Sequence, residues 1–385
     1  MIFCKKCLFS SVAATPITFN EEGVCSGCII NAKKKDINWQ ERENLFIKLI
    51  DEYRTIDGYD CLLPVSGGKD SYFACHVAKK HNLKALMVTY HGNNYLPEGE
   101  RNLNKMKDEF SFDHIIFRPS TTTLKKLNFL GFKLHGDMNW HCHAGIFTYP
   151  MQIAIKYKIP LVFWGDHGFT EQGGMYSHND FFEYTAKDRY ENALHGFDWY
   201  DFVDKQGLSK KDLDFLIYPS DEEIIDVGLR GIFLSNYFDY DGKTHADIAK
   251  KLYNWEEANY EFDRTFKKIS NLDDMHENGI HDYMKFIKFG YGRGTDHANY
   301  EIREGRMTRE EGIKMQKKYD HVKPRDLNRW LKYVNMNEHE FDKIADSFRS
   351  EKVWKIIDGK WFKMDIDNEI REYGSVKSFP SWYKK

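Results

Sequence analysis

The segment Ser66–Ser71 carries the side chains best suited to chemistry. Its sequence, Ser-Gly-Gly-Lys-Asp-Ser, follows a short apolar run and precedes a helical pattern over residues 71–80. Glycines allow backbone N–H groups to approach an anion closely, and the helix N-terminus adds partial positive charge. The segment therefore predicts a phosphate-binding loop, with an ordinary Gly-rich turn as the alternative. It offers two hydroxyls, a cation and a carboxylate for Mg²⁺: Ser66, Ser71, Lys69 and Asp70.

The loop does not fit the Walker pattern G-x-x-x-x-G-K-[ST]. That pattern would need glycine at Leu63 and Ser or Thr at Asp70. The loop resembles instead the Ser-Gly-Gly-x-Asp-Ser loop of the ATP pyrophosphatases, also called PP-loop enzymes. The resemblance implies cleavage of ATP to AMP and pyrophosphate, with the adenylate activating a carbonyl or amide oxygen.

Four cysteines near the start of the chain form two pairs. Two residues separate the members of each pair and 17 residues separate the pairs, which is the spacing of a four-thiolate zinc ribbon. A closed Cys₄ site has no open position, so its predicted role is structural. An iron–sulfur cluster and plain reduced cysteines are the alternatives. The predicted ligands, in a ribbon over residues 1–35, are Cys4, Cys7, Cys25 and Cys28.

Two clusters of polar residues lie between the third predicted strand and the end of the fourth. Gly165-Asp166-His167 follows the predicted strand at 161–164. Polar groups at the carboxyl edge of a parallel sheet have little packing reason to be there, so we interpret Asp166 and His167 as functional. His141-Cys142-His143 stands ahead of a predicted helix at 145–157. It is interpreted as a nucleophile, a metal site or part of a substrate pocket, or else as a packed thiol with surface histidines.

A further polar segment lies at residues 289–298. Three glycines precede Thr295-Asp296-His297, which opens a predicted helix. Arginines follow at a spacing of three residues, and guanidinium groups in this pattern predict a pocket for a carboxylate or phosphate. A solvated face balanced by glutamates is the alternative. The arginines are Arg303, Arg306 and Arg309.

The elements that would position these groups alternate between strands and helices. This alternation predicts an α/β domain over residues 36–240, with a doubly wound, mostly parallel sheet. Polar residues at the strand ends, namely Ser66–Ser71, His91–Asn94 and Gly165–Gly168, are expected to converge on one nucleotide site. The predicted strands are at 59–65, 85–90, 114–117 and 161–164, and the helices between them at 71–80, 99–110, 121–134 and 145–157.

The rest of the chain is predicted to be mainly helical beyond residue 240, forming a region for substrate or partner at 241–385. An apolar stretch at 232–234 is interpreted as a further strand. Lys33–Lys35 is predicted to be a solvated linker, followed by an amphipathic helix at 38–54 whose apolar stripe includes Leu45, Leu49 and Tyr53. The predicted C-terminal helices are at 246–253, 279–289, 308–319, 325–334 and 338–348.

Composition narrows the classes of function. The chain has 385 residues, with 56 Lys and Arg against 59 Asp and Glu, which gives a net charge of −3. This balance argues against a generally basic surface for nucleic acid. No apolar stretch reaches transmembrane length, and the first residues lack the apolar segment of a signal peptide. We therefore expect a cytoplasmic protein without membrane insertion, whose seven cysteines do not form disulfides.

Taken together, these motifs resemble those of the bacterial N-acetyl sugar amidotransferases. The resemblance implies a PP-loop domain of the adenine-nucleotide α-hydrolase type, with an N-terminal zinc ribbon and a helical C-terminal region. It also implies a role with sugars of the pseudaminic-acid and diacetamido-uronic-acid type, as in lipopolysaccharide, O-antigen and flagellin glycosylation. The sequence departs from the expected pattern at Gly294, where alanine is expected, and at His167, where asparagine is expected. The segments that carry the resemblance are residues 3–7, 19–28, 59–71, 290–298 and 302–311.

The resemblance implies a reaction as well. Resonance makes an acetamido carbonyl unreactive, and attack of its oxygen on the ATP α-phosphate would give an adenylated imidate and pyrophosphate. Ammonia would then displace AMP and leave an acetamidino group. Position 2 is Ile2 and no Gly-x-Cys-x-Gly motif occurs, so a separate glutaminase subunit is expected to supply ammonia. A tRNA-thiolating or lysidine-forming enzyme and a non-catalytic nucleotide-binding scaffold are the alternatives.

These inferences assign roles to individual residues. The predicted catalytic residues are Asp70, Lys69, Asp166, Asp296 and His297. ATP and Mg²⁺ are predicted to bind at Ser66, Gly67, Gly68, Lys69, Asp70, Ser71, Tyr90 and Gly165. The acetamido sugar is predicted to bind at His141, Cys142, His143, His167, Arg293 and Arg303.

Overall fold

The computed structural model describes residues 1–269 and 275–383, so residues 270–274 and 384–385 of the predicted C-terminal region lie outside it. A six-stranded sheet forms the centre of the molecule. Its strands are β1 Cys61–Pro64, β2 Ala85–Tyr90, β3 Asp113–Phe117, β4 Leu161–Trp164, β5 Glu183–Tyr184 and β6 Arg230–Phe233.

The strand order in this sheet is β3-β2-β1-β4-β6-β5. Every neighbouring pair is parallel except β5 with β6. The chain winds outward from β1 in both directions, so the topological switch point lies between β1 and β4. Open α/β sheets bind ligands outside the carboxyl ends of the strands at such a point. The predicted α/β fold with a mostly parallel sheet is confirmed, and the segments 66–71 and 165–168 follow the two strands at the switch point.

Fifteen α-helices lie within the described residues. They are α1 Ser26–Lys33, α2 Trp39–Tyr53, α3 Lys69–Lys80, α4 Pro97–Phe110, α5 Thr121–His135, α6 Trp140–Tyr157, α7 Gly168–Gly173, α8 Ala186–Asp188, α9 Asp221–Val227, α10 Gly242–Tyr253, α11 Asn278–Phe289, α12 Arg293–Arg303, α13 Arg309–Tyr319, α14 Leu327–Val334 and α15 Glu338–Ser347. Thr308 caps α13 in a reciprocal capping box with Glu311, as the sequence predicts.

The sheet is buried on both faces. On one face Leu63 and Met87 pack with side chains of α2, α3 and α10. On the other face Leu62 and Val88 pack with α6. Successive strand residues point to opposite faces, which explains why the strand sequences are continuous apolar runs. Because α10 packs in the same core as the sheet, that core continues past residue 240.

The C-terminal region forms a second core around a small sheet. Helices α11, α14 and α15 pack against a three-stranded antiparallel sheet of β7 Trp354–Ile357, β8 Lys360–Met364 and β9 Ile370–Ser375. The prediction of a helical C-terminal region is therefore wrong at its end. The signal was the turn Asp358-Gly359, whose φ angles of 49° and 71° are those that Asp-Gly adopts in two-residue hairpins.

Three local predictions also need correction. Lys34 is not part of a solvated linker but is 7% exposed, with its Nζ 3.4 Å from Glu171. Leu45 is exposed, and α2 buries Phe46 and Ile50 instead. His141-Cys142-His143 lies inside α6 rather than ahead of it, because α6 begins at Trp140.

The N-terminal cysteine segment packs against α12 and α13. Leu8 and Phe9 share a core with Tyr291, Ala298 and Ile302. The backbone N–H of Leu8 donates to Asn299 Oδ1 at 2.7 Å. Within the described residues, none of the helices is both long enough and apolar enough to span a membrane.

Candidate active site

The Ser66–Ser71 loop joins β1 to α3 in a conformation that requires glycine. Gly67 has φ of +91°, and a Cβ on it would lie 2.8 Å from the backbone nitrogen of Leu103. Gly68 is the N-cap of α3. Ser71 Oγ accepts a hydrogen bond from the backbone N–H of Ser66 at 2.9 Å, which closes the loop. The loop is thus a tight turn whose amides lead into a helix N-terminus, an arrangement suited to an anion.

Asp70 is paired on both carboxylate oxygens. Lys69 Nζ donates to Oδ2 at 2.8 Å, and His245 Nδ1 donates to Oδ1 at 2.8 Å. Burial alone would raise the pKa of the Asp70 carboxyl, but the Lys69 charge and the His245 hydrogen bond outweigh burial and hold the pKa well below its ordinary value. Asp70 is therefore a permanent carboxylate at the start of α3.

Asp166, just beyond β4, is a carboxylate of the opposite kind. Burial raises the pKa of Asp166 to about 7, and the negative charges of Asp70 and Glu171 add to the effect. Two carboxylates with hydroxyl oxygens nearby form the oxygen-rich donor set that suits Mg²⁺. The residues at this point therefore fit a divalent cation, with Asp70 and Asp166 as the acidic groups that would hold it.

Three cavities meet at Asp166. The first, the Tyr90 pocket, has a volume of about 240 Å³ and lies between the loop and β4. Its lining combines polar groups with apolar side chains such as Val88, Phe147 and Trp164. This combination suits a ligand with a charged and an aromatic part. The polar groups of the Tyr90 pocket are Ser66, Asp70, Ser71 and Asp166.

The second cavity, the Lys267 pocket, is small, about 50 Å³, and lies beside Lys69. Three further cations line it: Lys243, Lys267 and Arg306. Of these, Lys267 and Arg306 each contact Glu301 at 2.6 Å. His297 also lines this pocket. Lys267 is a residue that sequence analysis missed, and no local pattern around it indicates a site.

The third cavity has two connected lobes, which we name after one acidic residue in each. The Asp166 lobe has a volume of about 350 Å³ and the Asp137 lobe about 380 Å³. His167 and Arg293 line the Asp166 lobe, whereas Lys288 lines the Asp137 lobe. Four charged or imidazole side chains line both lobes and form their junction: His143, His195, His281 and Lys285.

Sequence analysis missed the residues of this junction except His143. Asp137 stands in the turn between α5 and α6. Aspartate is common in turns, so its residue type there does not indicate a site. His281 and Lys285 lie four residues apart on the predicted helix 279–289, whose buried side includes Asp282. Charged groups on the buried side of a helix were a usable signal.

Only part of the predicted sugar site at His141-Cys142-His143 faces a cavity. Successive helical residues point about 100° apart, so the three side chains diverge. His141 is fully buried, with its ring nitrogens 3.1 Å from Tyr90 Oη and 2.9 Å from Asn128 Nδ2. Cys142 is buried beside Met275, with the two sulfur atoms 3.8 Å apart. His143 alone of the three lines the third cavity, and the structure places His141 and Cys142 away from it.

The predicted catalytic pair Asp296 and His297 is likewise split by the helix. Asp296 accepts from Lys285 Nζ at 2.6 Å, whereas His297 Nδ1 lies 2.6 Å from Thr265 Oγ1. The two side chains therefore do not act as one pair. Arg293 lines the Asp166 lobe but is already bound to Asp282, with its Nε 3.0 Å from Oδ1.

Arg303 belongs to the cysteine cluster rather than to a cavity. Its guanidinium donates to the backbone carbonyls of Glu171 and Gln172 at 3.0 and 2.9 Å, and one of its nitrogens lies 3.7 Å from Cys25 Sγ. Arg303 therefore does not line the cavities described above, although it was predicted to bind the sugar. It is a buried cation that connects α12 to the end of α7.

The four predicted zinc ligands do come together. One ligand atom from each lies within 4.8 Å of the others, and all four side chains are buried. The sulfur atoms of Cys7 and Cys25 are 3.5 Å apart. Four thiolates in a closed cluster fit a tetrahedral zinc ion. The residues are Cys4, Cys7, Cys25 and Cys28.

A family model matches the C-terminal part of the chain. Residues 259–365 match a family model described as LPS biosynthesis protein WbpG-like, C-terminal domain. The matched segment contains Lys267, His281, Lys285 and Arg293, which line the cavities around Asp166. No curated protein matches the chain.

Zinc content is the first testable consequence. We expect about one zinc per chain in purified protein, and Cys25→Ser to release it, because three thiolates hold the ion more weakly than four. Metal analysis by mass spectrometry measures both. Iron with visible absorbance in protein purified without oxygen would contradict the zinc assignment.

Arg303→Ala tests whether this arginine is structural. Its loss leaves buried thiolates and two carbonyls without their cation, so we expect the free energy of unfolding to fall by about 3 kcal/mol. Zinc retention in chelator should fall as well. Chemical denaturation measures the first effect, with Arg101→Ala on an exposed face of α4 as the matched control. Unchanged stability would return Arg303 to the ligand-binding candidates.

The Asp166→Asn variant is expected to be more stable than the wild type at pH 8 without added magnesium. The pKa of Asp166, about 7, exceeds its ordinary value of 3.8, so the folded state holds the proton more tightly than the unfolded chain does. Its stability contribution is present below pH 4 and lost as the pH rises to 7. The variant cannot ionise there and should gain about 1–3 kcal/mol. Denaturation at several pH values should show the gain growing from pH 5 to 7 and then levelling; a gain independent of pH would contradict this origin.

Proposed function

We propose that this protein is an ATP-dependent enzyme of bacterial surface-sugar biosynthesis that converts an acetamido group into an acetamidino group. The observation that carries the proposal is the meeting of three cavities at Asp166, with the Ser66–Ser71 loop on one side and a two-lobed cavity on the other. A nucleotide and a second substrate could therefore react at one point. The match of residues 259–365 to an LPS biosynthesis family model supports a sugar as the second substrate.

ATP is assigned to the Tyr90 pocket and the adjoining Ser66–Ser71 loop. The apolar side chains of the pocket suit the adenine ring, and the loop amides with Lys69 suit the phosphates. Lys267 and Arg306 add positive charge on the far side of Lys69, where departing pyrophosphate would be stabilised. Mg²⁺ at the two carboxylates would supply charge neutralisation for the phosphates.

The acetamido sugar is assigned to the Asp166 lobe. This lobe shares Asp166, Phe147 and Phe233 with the Tyr90 pocket, so an acetamido oxygen there can approach the α-phosphate. Lys285 and Arg293 give the lobe a cationic wall that suits an acidic or nucleotide-linked sugar. His143, which also lines this lobe, provides a hydrogen-bonding group for a hydroxyl.

The proposed reaction has two steps. The acetamido oxygen attacks the α-phosphorus, the bond between the α-phosphorus and the bridging oxygen breaks, and pyrophosphate leaves with that electron pair. Ammonia then adds to the imidate carbon, the carbon–oxygen bond breaks, and AMP leaves with the former acetamido oxygen. One nitrogen replaces one oxygen in the sugar. Ammonia would come from a separate glutaminase, or from ammonium salts in a purified assay.

An oxygen label tests this reaction. A UDP-linked diacetamido uronic acid and free pseudaminic acid, each carrying ¹⁸O in the acetyl carbonyl, are incubated with ATP, Mg²⁺, ammonium and the enzyme. We expect the label to appear in AMP and the sugar to become about three mass units lighter than the labelled substrate, because NH replaces ¹⁸O. AMP without label would exclude adenylation of the acetamido oxygen. If neither sugar supports pyrophosphate release, both sugars are excluded as substrates.

Asp70→Asn is expected to lower pyrophosphate release by about 100-fold or more, because a neutral amide can neither hold the cation nor pair with Lys69. The matched control is Asp108→Asn on the exposed side of α4, which should keep the wild-type rate. A coupled pyrophosphate assay measures both variants. A near-normal rate for Asp70→Asn, in folded protein, would remove the loop from the active site.

A further inference from the structure

Asp137 binds two histidines at the junction of the two lobes. Its Oδ1 lies 2.9 Å from His281 Nδ1, and its Oδ2 lies 3.5 Å from His143 Nδ1. The backbone N–H of Asn139 also donates to Oδ1, which fixes the carboxylate in its turn. Burial alone would raise the pKa of Asp137, but its interactions with His281 and His143 outweigh burial and hold the pKa well below its ordinary value. Asp137 is thus a buried carboxylate that orients imidazole rings.

This orientation leaves one nitrogen of each ring available. A carboxylate only accepts, so the hydrogen bond places the proton on Nδ1 and leaves a lone pair on Nε2. Within the part of the chain that the structure describes, His281 Nε2 and His143 Nε2 have no hydrogen-bond partner, and both rings line the two lobes. An aspartate that fixes a histidine tautomer with its free nitrogen in a cavity is the arrangement of a general base.

The other histidines near the reaction point lack this property. Both ring nitrogens of His167 are engaged, one with Thr170 Oγ1 at 2.8 Å and the other with Asp188 at 3.3 Å. His297 lies in the Lys267 pocket, and burial together with the Lys267 charge holds its pKa well below the ordinary value. Of the pair on Asp137, His281 has the shorter contact with the carboxylate.

The groups around His281 come from several elements. Asp137 faces it from the turn before α6, and His143 from α6, with ring centroids 5.4 Å apart. His195 faces the junction from the segment after α8. The nearby charged groups on α11, the helix that carries His281, are Asp282, Lys285 and Lys288. Of these, Lys285 is paired with Asp296.

We propose that His281, oriented by Asp137, is the base that takes the proton from the nitrogen nucleophile at the junction of the two lobes. This inference rests on the proposed function. As ammonia forms its bond to the imidate carbon, the nitrogen becomes positively charged, and one proton passes from it to His281 Nε2. Asp137 stabilises the resulting imidazolium, and the carbon–oxygen bond to AMP then breaks. His281 is the catalytic residue and Asp137 the positioning residue.

The test separates the two steps of the reaction. Wild type, His281→Gln and Asp137→Asn are assayed with whichever labelled sugar supports pyrophosphate release. For His281→Gln we expect pyrophosphate release within about threefold of wild type, and amidination lowered about 100-fold at pH 7. Water should then intercept the imidate, so AMP forms without acetamidino product. His339→Gln on the exposed side of α15 is the matched control.

Asp137→Asn distinguishes positioning from a purely structural role. It should lower amidination less than His281→Gln and shift the pH profile of amidination, because the tautomer is no longer fixed. The inference is overturned if His281→Gln forms as much acetamidino product per AMP as wild type does, or if folded His281→Gln loses pyrophosphate release and amidination equally. It is also overturned if Asp137→Asn keeps the wild-type pH profile of amidination. Should His281→Gln fail to fold, Asp137→Asn alone decides by the same coupling ratio. A wild type that releases no pyrophosphate overturns the proposed function instead.

Discussion

One buried guanidinium ties the cysteine cluster to the reaction point. Arg303 extends from α12 to the carbonyls at the end of α7 and to the sulfur of Cys25. Arg303 also packs closely against Gly27 of α1, because a Cβ on Gly27 would lie 2.3 Å from a guanidinium nitrogen of Arg303. A cation in this position needs negative partners, which thiolates supply. Because α7 begins two residues after Asp166, the position of that carboxylate depends on the N-terminal ribbon.

The two acidic groups at the switch point show how the fold divides their roles. Asp70 has Lys69 and His245 as partners and remains ionised, whereas burial and the negative charges of Asp70 and Glu171 raise the pKa of Asp166. Neighbouring groups whose pKa values are pushed apart are typical of sites that handle charge. Ionising Asp166 is therefore electrostatically costly, and a bound cation would reduce that cost. Asp166 also lines all three cavities, so the cation would sit where the cavities meet.

The sequence predicts what local pattern determines. Apolar runs and glycine spacing were enough for the parallel sheet and the Ser66–Ser71 loop, and cysteine spacing was enough for the cluster. Side-chain direction was not predictable at His141 or Asp296, because helix boundaries decide which of several adjacent residues faces a cavity. Nor was the pairing of Asp137 with His281, since 144 residues separate them and only the docking of α11 brings them together. The C-terminal sheet was missed although the dipeptide Asp358-Gly359 is typical of a β-hairpin turn.

The contacts of the ribbon have a consequence for how the chain assembles. Leu8 bonds to a residue 291 positions later, and the carbonyl of Cys7 to one 302 positions later. Closing a loop of that size costs about 5 kcal/mol of chain entropy. During synthesis the ribbon therefore emerges well before its docking surface on α12 and α13. If a metal folds the ribbon early, the ribbon can dock on α12 and α13 as one folded unit. A single loop closure would then form all of these contacts together. The contact from Arg303 to α7, which begins two residues after Asp166, would then form only after α12 has been synthesised.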